Sequence, residues 1–143
     1  MLTAESFFSS WQPFLAATVG AVVFVLLLRV WHSPALFGKQ IAQATPPTMQ
    51  FMATSKLMLA SNFWGTVTML YFLQMWLLSS HQATFWNGLW AALLVSAAFN
   101  FLPFVMSLMA TFTLPGFAKY QLLNGGGNVL AFSLCGGLIG MCL

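Results

Sequence analysis

Charge is what this sequence lacks most. Only 3% of its 143 residues are charged, namely Arg29, Lys39, Lys56 and Lys119 against Glu5. A soluble domain carries about 25% charged residues. A surface so poor in charge does not stay dispersed in water, and at this length a large share of residues must lie at the surface. The solvent for most of that surface is therefore lipid. Aspartate is absent and the single carboxylate is Glu5. This excludes intramembrane cleavage by paired aspartates. It also leaves serine and histidine without an acid in reach, and there is no nucleophile elbow. No predicted span has Asp, Glu or His at its middle, so a carboxylate-based proton or sodium pump has no relay. The cations are too few for a nucleic-acid footprint, which needs a dense basic patch. The reading is of a protein that is not an enzyme, with no cofactor, no metal and no nucleic-acid partner.

Cysteine and histidine are equally sparse. Cys135 and Cys142 stand seven apart, about 10 Å by helical rise, too far to pair. They show no metal spacing and read as buried free thiols. His32 and His81 fall at opposite ends of predicted spans, a ~30 Å bilayer core apart, and cannot share one haem. Residues 1–12 contain no Lys or Arg, which a signal or transit peptide would want. Met1 is expected to remain and the first apolar run to stay as a span.

Apolar residues are abundant, at 60% of the chain. Their runs predict an all-α, single-domain bundle of four transmembrane helices, at residues 13–31, 57–78, 85–110 and 120–143. Phe7, Phe8 and Trp11 suit the interface, and Ser9, Ser10 and Pro13 suit a helix start. Ser33-Pro34 ends the first helix. Gln40 to Ala44 is expected as one amphipathic turn, and Thr45-Pro46-Pro47-Thr48 as a stiff connector. A helical extension is expected up to Lys56. The short link from Ser79 to Thr84 predicts that the second and third spans are antiparallel neighbours. Pro103 should kink the third span, with Asn100 near the carbonyls it frees. Pro115-Gly116 marks the last turn.

Small residues recur at helical spacing, which in lipid permits close helix approach. The candidates for packing are Ala16/Gly20 and Ala17/Ala21, Ser61/Gly65/Thr68, then Gly88/Ala92/Ser96/Asn100, and finally Gly126, Ser133, Gly136 and Gly140. Asn62 and Gln74 should point at neighbouring helices. Lys39, Lys56, Lys119 and Arg29 gather at one face, whereas the Ser79–Thr84 link has no Lys or Arg. By the positive-inside rule both termini lie outside. The same four cations are candidate contacts for anionic headgroups, cardiolipin among them, at about 1 kcal/mol each. Trp31, Ser33, Pro34, Phe37 and Gly38 form a turn and anchor motif where the first span meets water.

Trp31-His32-Ser33-Pro34 followed by Leu36-Phe37-Gly38-Lys39 resembles the DUF1761 family of small four-span membrane proteins. So does Leu122-Leu123-Asn124-Gly125-Gly126-Gly127-Asn128 leading to Gly136 and Gly140. His32 stands where that family usually has tyrosine, and Asn128 lies near a position often held by histidine. The resemblance implies a four-span architecture and carries no biochemical activity with it.

Two functions fit these features. The first is a non-catalytic accessory subunit of a larger membrane complex, packing through its small-residue faces against other membrane subunits or itself. A respiratory assembly in the mitochondrial inner membrane is favoured over one in the bacterial plasma membrane. The second is a small homo-oligomeric transporter or channel for a neutral solute, lined by Asn62, Asn100, Asn124 and Asn128. A dry bundle would favour the first and a polar cavity the second.

Overall fold

The computed structural model describes residues 11–46, 56–81, 83–110 and 116–143, with backbone alone at 56–59. Expectations for Glu5, Phe7, Phe8, Ser9, Ser10, Pro47, Thr48 and Pro115 lie outside these residues. So does the extension leading to Lys56. The described residues are all-α, with five helices: α1 Gln12–Trp31, α2 Gly38–Ala44, α3 Lys56–Ser79, α4 Phe85–Met109 and α5 Phe117–Cys142. Three of them, α1, α4 and α5, are long and apolar enough to cross a membrane. The 24-residue α3 has the length but is less apolar. It carries Ser61, Asn62, Thr66, Thr68 and Gln74.

Local chemistry sets the helix boundaries. Pro13 sits in the first turn of α1 and is buried, where its missing N–H costs nothing. His32 caps the other end, one residue before Ser33-Pro34. Thr84 caps α4, its hydroxyl accepting from the Asn87 N–H at 3.2 Å. Gly116 precedes α5 with φ of 84°, a left-handed conformation open to glycine at little cost. The last helix therefore begins at Phe117, a turn earlier than expected. The Gln40–Ala44 turn is part of α2, which buries Ile41 and Ala44 and packs against α5. Pro103 lies within α4, which continues to Met109.

The long helices alternate in direction. Gln74, near the end of α3, donates from Nε2 to the Pro13 carbonyl at the start of α1, at 3.1 Å. The Cys135 thiol of α5 meets the Gly20 carbonyl at 3.4 Å, while Trp31 reaches Leu123 at the other end of α5. Phe85 lies on Gly137, and Asn100 on Gly125, so α4 and α5 are also antiparallel. The chain ends of α1 and α5 thus share one end of the bundle. Arg29, Lys39, Lys119 and the start of α3 share the other.

Helix α5 is the centre. It contacts α1, α2, α3 and α4, and most closely α4. Along that seam Gly88 lies on the Gly136 backbone, Gly140 on Thr84 and Gly88, and Ala92 on Gly136. A Cβ at Gly88, Gly136 or Gly140 would strike backbone atoms, so these glycines allow the two helix axes to close. Ala17, Ala21, Phe24, Leu70, Leu73, Phe132, Cys135 and Ile139 complete the core, with Phe24 and Phe132 edge to face at 6.3 Å.

Three expectations need correction. Helices α3 and α4 are joined by a short link, but they touch only briefly. The link is short because α3 ends near the start of α4, and α5 supplies the closer glycine-lined partner. Gly65 and Gly126 do not pack, for a Cβ at either would meet nothing within 4 Å. Ser61, Gly65 and Thr68 are exposed together. Of the two thiols only Cys135 is buried, and Cys142 is exposed at the end of α5.

The outer surface is apolar over most of its height. Phe14, Val22 and Leu26 on α1, Trp64 and Phe72 on α3, Trp90 and Phe101 on α4, and Leu130 and Leu138 on α5 are all exposed. Apolar exposure this continuous marks a surface that faces lipid. The chain is an integral membrane protein.

Candidate functional site: a polar recess between helices

Because α3 and α4 part company above α5, a cleft opens between them. Its half nearer the cationic end is a recess of about 320 Å³. Ser61, Asn62, Gly65 and Thr66 of α3 line one wall, and Ser96 and Asn100 of α4 the other. Asn128 and Phe132 of α5 form the floor, and Phe24 and Leu28 of α1 close the back. The other half is an apolar groove of about 440 Å³ lined by Phe72, Leu73, Trp76, Ala91, Leu94 and Val95. Met69, Phe99 and Phe132 border both, so the two halves adjoin.

The polar groups of the recess fall into two kinds. The hydroxyls are turned back on their own helices. Thr66 donates to the Asn62 carbonyl at 2.8 Å, and Ser96 donates to the Ala92 carbonyl at 2.7 Å. Each keeps its oxygen lone pairs for accepting. The carboxamides are less committed. Asn100 donates once from Nδ2 to the Ser96 carbonyl, at 2.8 Å. Its Oδ1 lies beside Gly125, 3.2 Å from where a Cβ would stand. That bond runs to Ser96 and not to Phe99, whose carbonyl Pro103 leaves without its usual donor. The side-chain amides of Asn62 and Asn128 have no hydrogen-bond partner among the described residues. A carboxamide offers two donors and two acceptor lone pairs, and leaving them unmet inside lipid costs several kcal/mol per group. Among the described residues the lining is uncharged, made of hydroxyls, carboxamides and apolar side chains, and it suits a guest that both donates and accepts.

A second feature closes the cationic end. The Trp31 indole N–H donates to the Leu123 carbonyl at 3.0 Å, and its ring lies on Gly127, where a Cβ would approach Cδ1 to 2.6 Å. His32 Nδ1 lies 2.7 Å from the Leu28 carbonyl and so carries the proton. Its Nε2 lies 3.1 Å from Oδ1 of Asn124, and with the proton on Nδ1 it accepts when that amide is turned to present its NH2 group. The Phe37 ring packs on Trp31 at 4.4 Å. The Ser33 carbonyl accepts from both Leu36 and Gly38, and Gly38 lies against the His32 carbonyl, with no room for a Cβ. Pro34 is exposed. The two motif segments, distant in sequence, thus form one clamp between the end of α1 and the start of α5.

The remaining expected residues divide clearly. Gly88, Ala92, Ser96, Ser133, Gly136 and Gly140 are buried. Ser133 returns its hydroxyl to the Val129 carbonyl at 2.6 Å. Arg29, Lys39 and Lys119 are exposed at the clamp end, and Lys56 begins α3 there. His81 is at the opposite end from His32, with φ of 53°. No group of three His, Cys, Asp or Glu able to hold a metal exists among the described residues. The roles of Gly125 and Gly127, which admit Asn100 and Trp31, are not marked by spacing. Only the pairing of helices reveals them.

Comparison with protein-family models, with curated proteins and with solved structures finds nothing that matches this chain.

Proposed function

We propose that the chain is a non-catalytic four-span membrane protein that binds a neutral, hydrogen-bonding solute in the recess between α3 and α4. It works as a small homo-oligomeric transporter or channel. The observation that carries this reading is the pair of unpartnered carboxamides, Asn62 and Asn128, facing a cavity at membrane depth. The expected small-residue faces of α4 and α5 are consumed within the chain, which leaves fewer of them for neighbours. Glycerol flux into proteoliposomes tests the reading. Flux should fall at least ~tenfold with Asn100→Leu and Asn128→Leu, on the order of one lost hydrogen bond each. Unchanged flux in both folded variants refutes it.

The fourth span is α3. It lies antiparallel along α1, and 24 residues at about 1.5 Å each reach across the ~30 Å core. Its lower apolarity has a use, because Ser61, Asn62 and Thr66 line the recess and Gln74 meets the start of α1. With the cations on the inner face, both termini lie outside. Arg29, Lys39, Lys56 and Lys119 there contact anionic lipid, cardiolipin where the membrane contains it. Membership of the DUF1761 family rests on the two motif segments that form the clamp.

The second reading is the accessory subunit of a larger assembly, respiratory in the mitochondrial inner membrane or its bacterial counterpart. The exposed Ser61, Gly65 and Thr68 favour it, since a partner helix could lie close there. Native mass spectrometry from gentle detergent distinguishes the two. A constant foreign subunit supports the second, and a homo-oligomer supports the first.

A further inference from the structure

The chemistry of the whole cleft says more about the guest than the recess alone does. At the clamp end Trp31, His32 and Phe37 tie α1 to α5. The recess lies between α3 and α4, where Ser61, Asn62, Gly65 and Phe99 are exposed, and it shares Met69, Phe99 and Phe132 with the apolar groove. A water-soluble solute has no use for that groove. A molecule arriving from the lipid does.

Depth and charge narrow the class. Asn62 lies six residues beyond Lys56 on α3, and Asn128 nine beyond Lys119 on α5. These steps are rises of about 9 and 14 Å from the cationic end. The headgroup layer lies outside a hydrocarbon core of ~30 Å, so the carboxamides sit below phosphate level. Among the described residues no charged side chain lines either half of the cleft, so an anionic head drawn to that depth finds no counter-ion among them. A compact, uncharged head with hydroxyl, carbonyl or amide groups matches three carboxamides at that level. Beyond it the groove continues toward the opposite end of the bundle, the direction in which a tail from this leaflet points.

We propose that the cleft between α3 and α4 is a binding site for an uncharged amphiphile that enters sideways from the bilayer. This assignment rests on the reading of the recess as a neutral binding site. The hydrogen-bonding head of the amphiphile meets Asn62, Asn100 and Asn128. Its tail lies along Phe72, Leu94 and Val95. The protein then takes its guest from the lipid phase and not from water.

The test uses the full chain in nanodiscs of neutral phosphatidylcholine. Two photoactivatable, alkyne-tagged probes share one long alkyl tail, one ending in a hydroxyl and the other in a phosphate. The alcohol should label peptides containing Phe72 or Leu94 at least ~tenfold more than the phosphate does, and Asn100→Leu with Asn128→Leu should remove most of that preference. Leu94→Trp, at an exposed position, should block the groove and abolish labelling with helicity and melting unchanged. Equal labelling by both probes, or labelling spread evenly to Val22 and Leu134 on the outer surface, overturns the proposal. So does a Leu94→Cys variant that crosslinks to another chain in native membranes while the alcohol fails to label. That result places a partner helix in the cleft. Glycerol flux without alcohol labelling overturns the amphiphile and leaves the neutral-solute reading standing. Labelling without glycerol flux supports the amphiphile and the neutral binding site, and ends the transport of a water-soluble solute.

Discussion

Glycine does two unlike jobs in this chain, and local sequence does not tell them apart. At Gly136 a Cβ would meet the Ala92 side chain and lie 2.6 Å from the Gly88 carbonyl oxygen. At Gly65 it would meet open space. Overpacking a tight interface costs about 1–3 kcal/mol, whereas a change at an unpacked site stays within about 0.5 kcal/mol. Gly136→Ala should therefore lower the melting temperature in detergent clearly, and Gly65→Ala should leave it nearly unchanged. The two thiols are also unlike. A membrane-permeant maleimide should modify exposed Cys142 rapidly and buried Cys135 only after unfolding. Equal rates by mass spectrometry would contradict the packing of Cys135 against Gly20.

Helix ends are held by the clamp, and its parts are unequal. The Trp31 N–H bond to Leu123 is one hydrogen bond of about 1 kcal/mol. Trp31→Phe should cost near that amount while keeping the ring on Gly127. Gly127→Ala should cost more, because a rigid indole cannot yield as a flexible side chain can. Gly38 and Pro34 make the same comparison within the turn. Pro34 is exposed, while Gly38 has a carbonyl where its Cβ would go. Gly38→Ala should destabilise the junction more than Pro34→Ala, read as protease sensitivity of the segment between α1 and α2. The motif Trp31 to Lys39 ends the first span, as its proline indicates. Its stronger function is to tie that span to the last one.

The whole molecule is a bundle with one seam left open. Helix α5 takes the central place because its glycines let α4 lie close, and α4 is thereby drawn away from α3. The cations gather at one end, so topology has a direct test. Cysteines placed at positions 39 and 119 should react only from the inner side, and a cysteine at position 81 only from the outer side, in sealed vesicles. Labelling of positions 39 and 81 from the same side would mean that α3 does not cross.

The sequence by itself determined the solvent, the helices and most of their ends. Lack of charge dictates lipid, length and apolarity dictate spans, and Ser33-Pro34, Pro13 and Thr84 mark boundaries by backbone chemistry that is local. It also singled out the carboxamides Asn62, Asn100 and Asn128. Tertiary structure alone decided which small residues touch and which are left bare, because a stripe of glycines carries no label for its partner. It decided that sequence neighbours α3 and α4 separate, that Gly125 and Gly127 make room for Asn100 and Trp31, and that the two motif segments meet. The cleft belongs wholly to that level. It exists because helices distant in sequence pack better with each other than with the helix next in line.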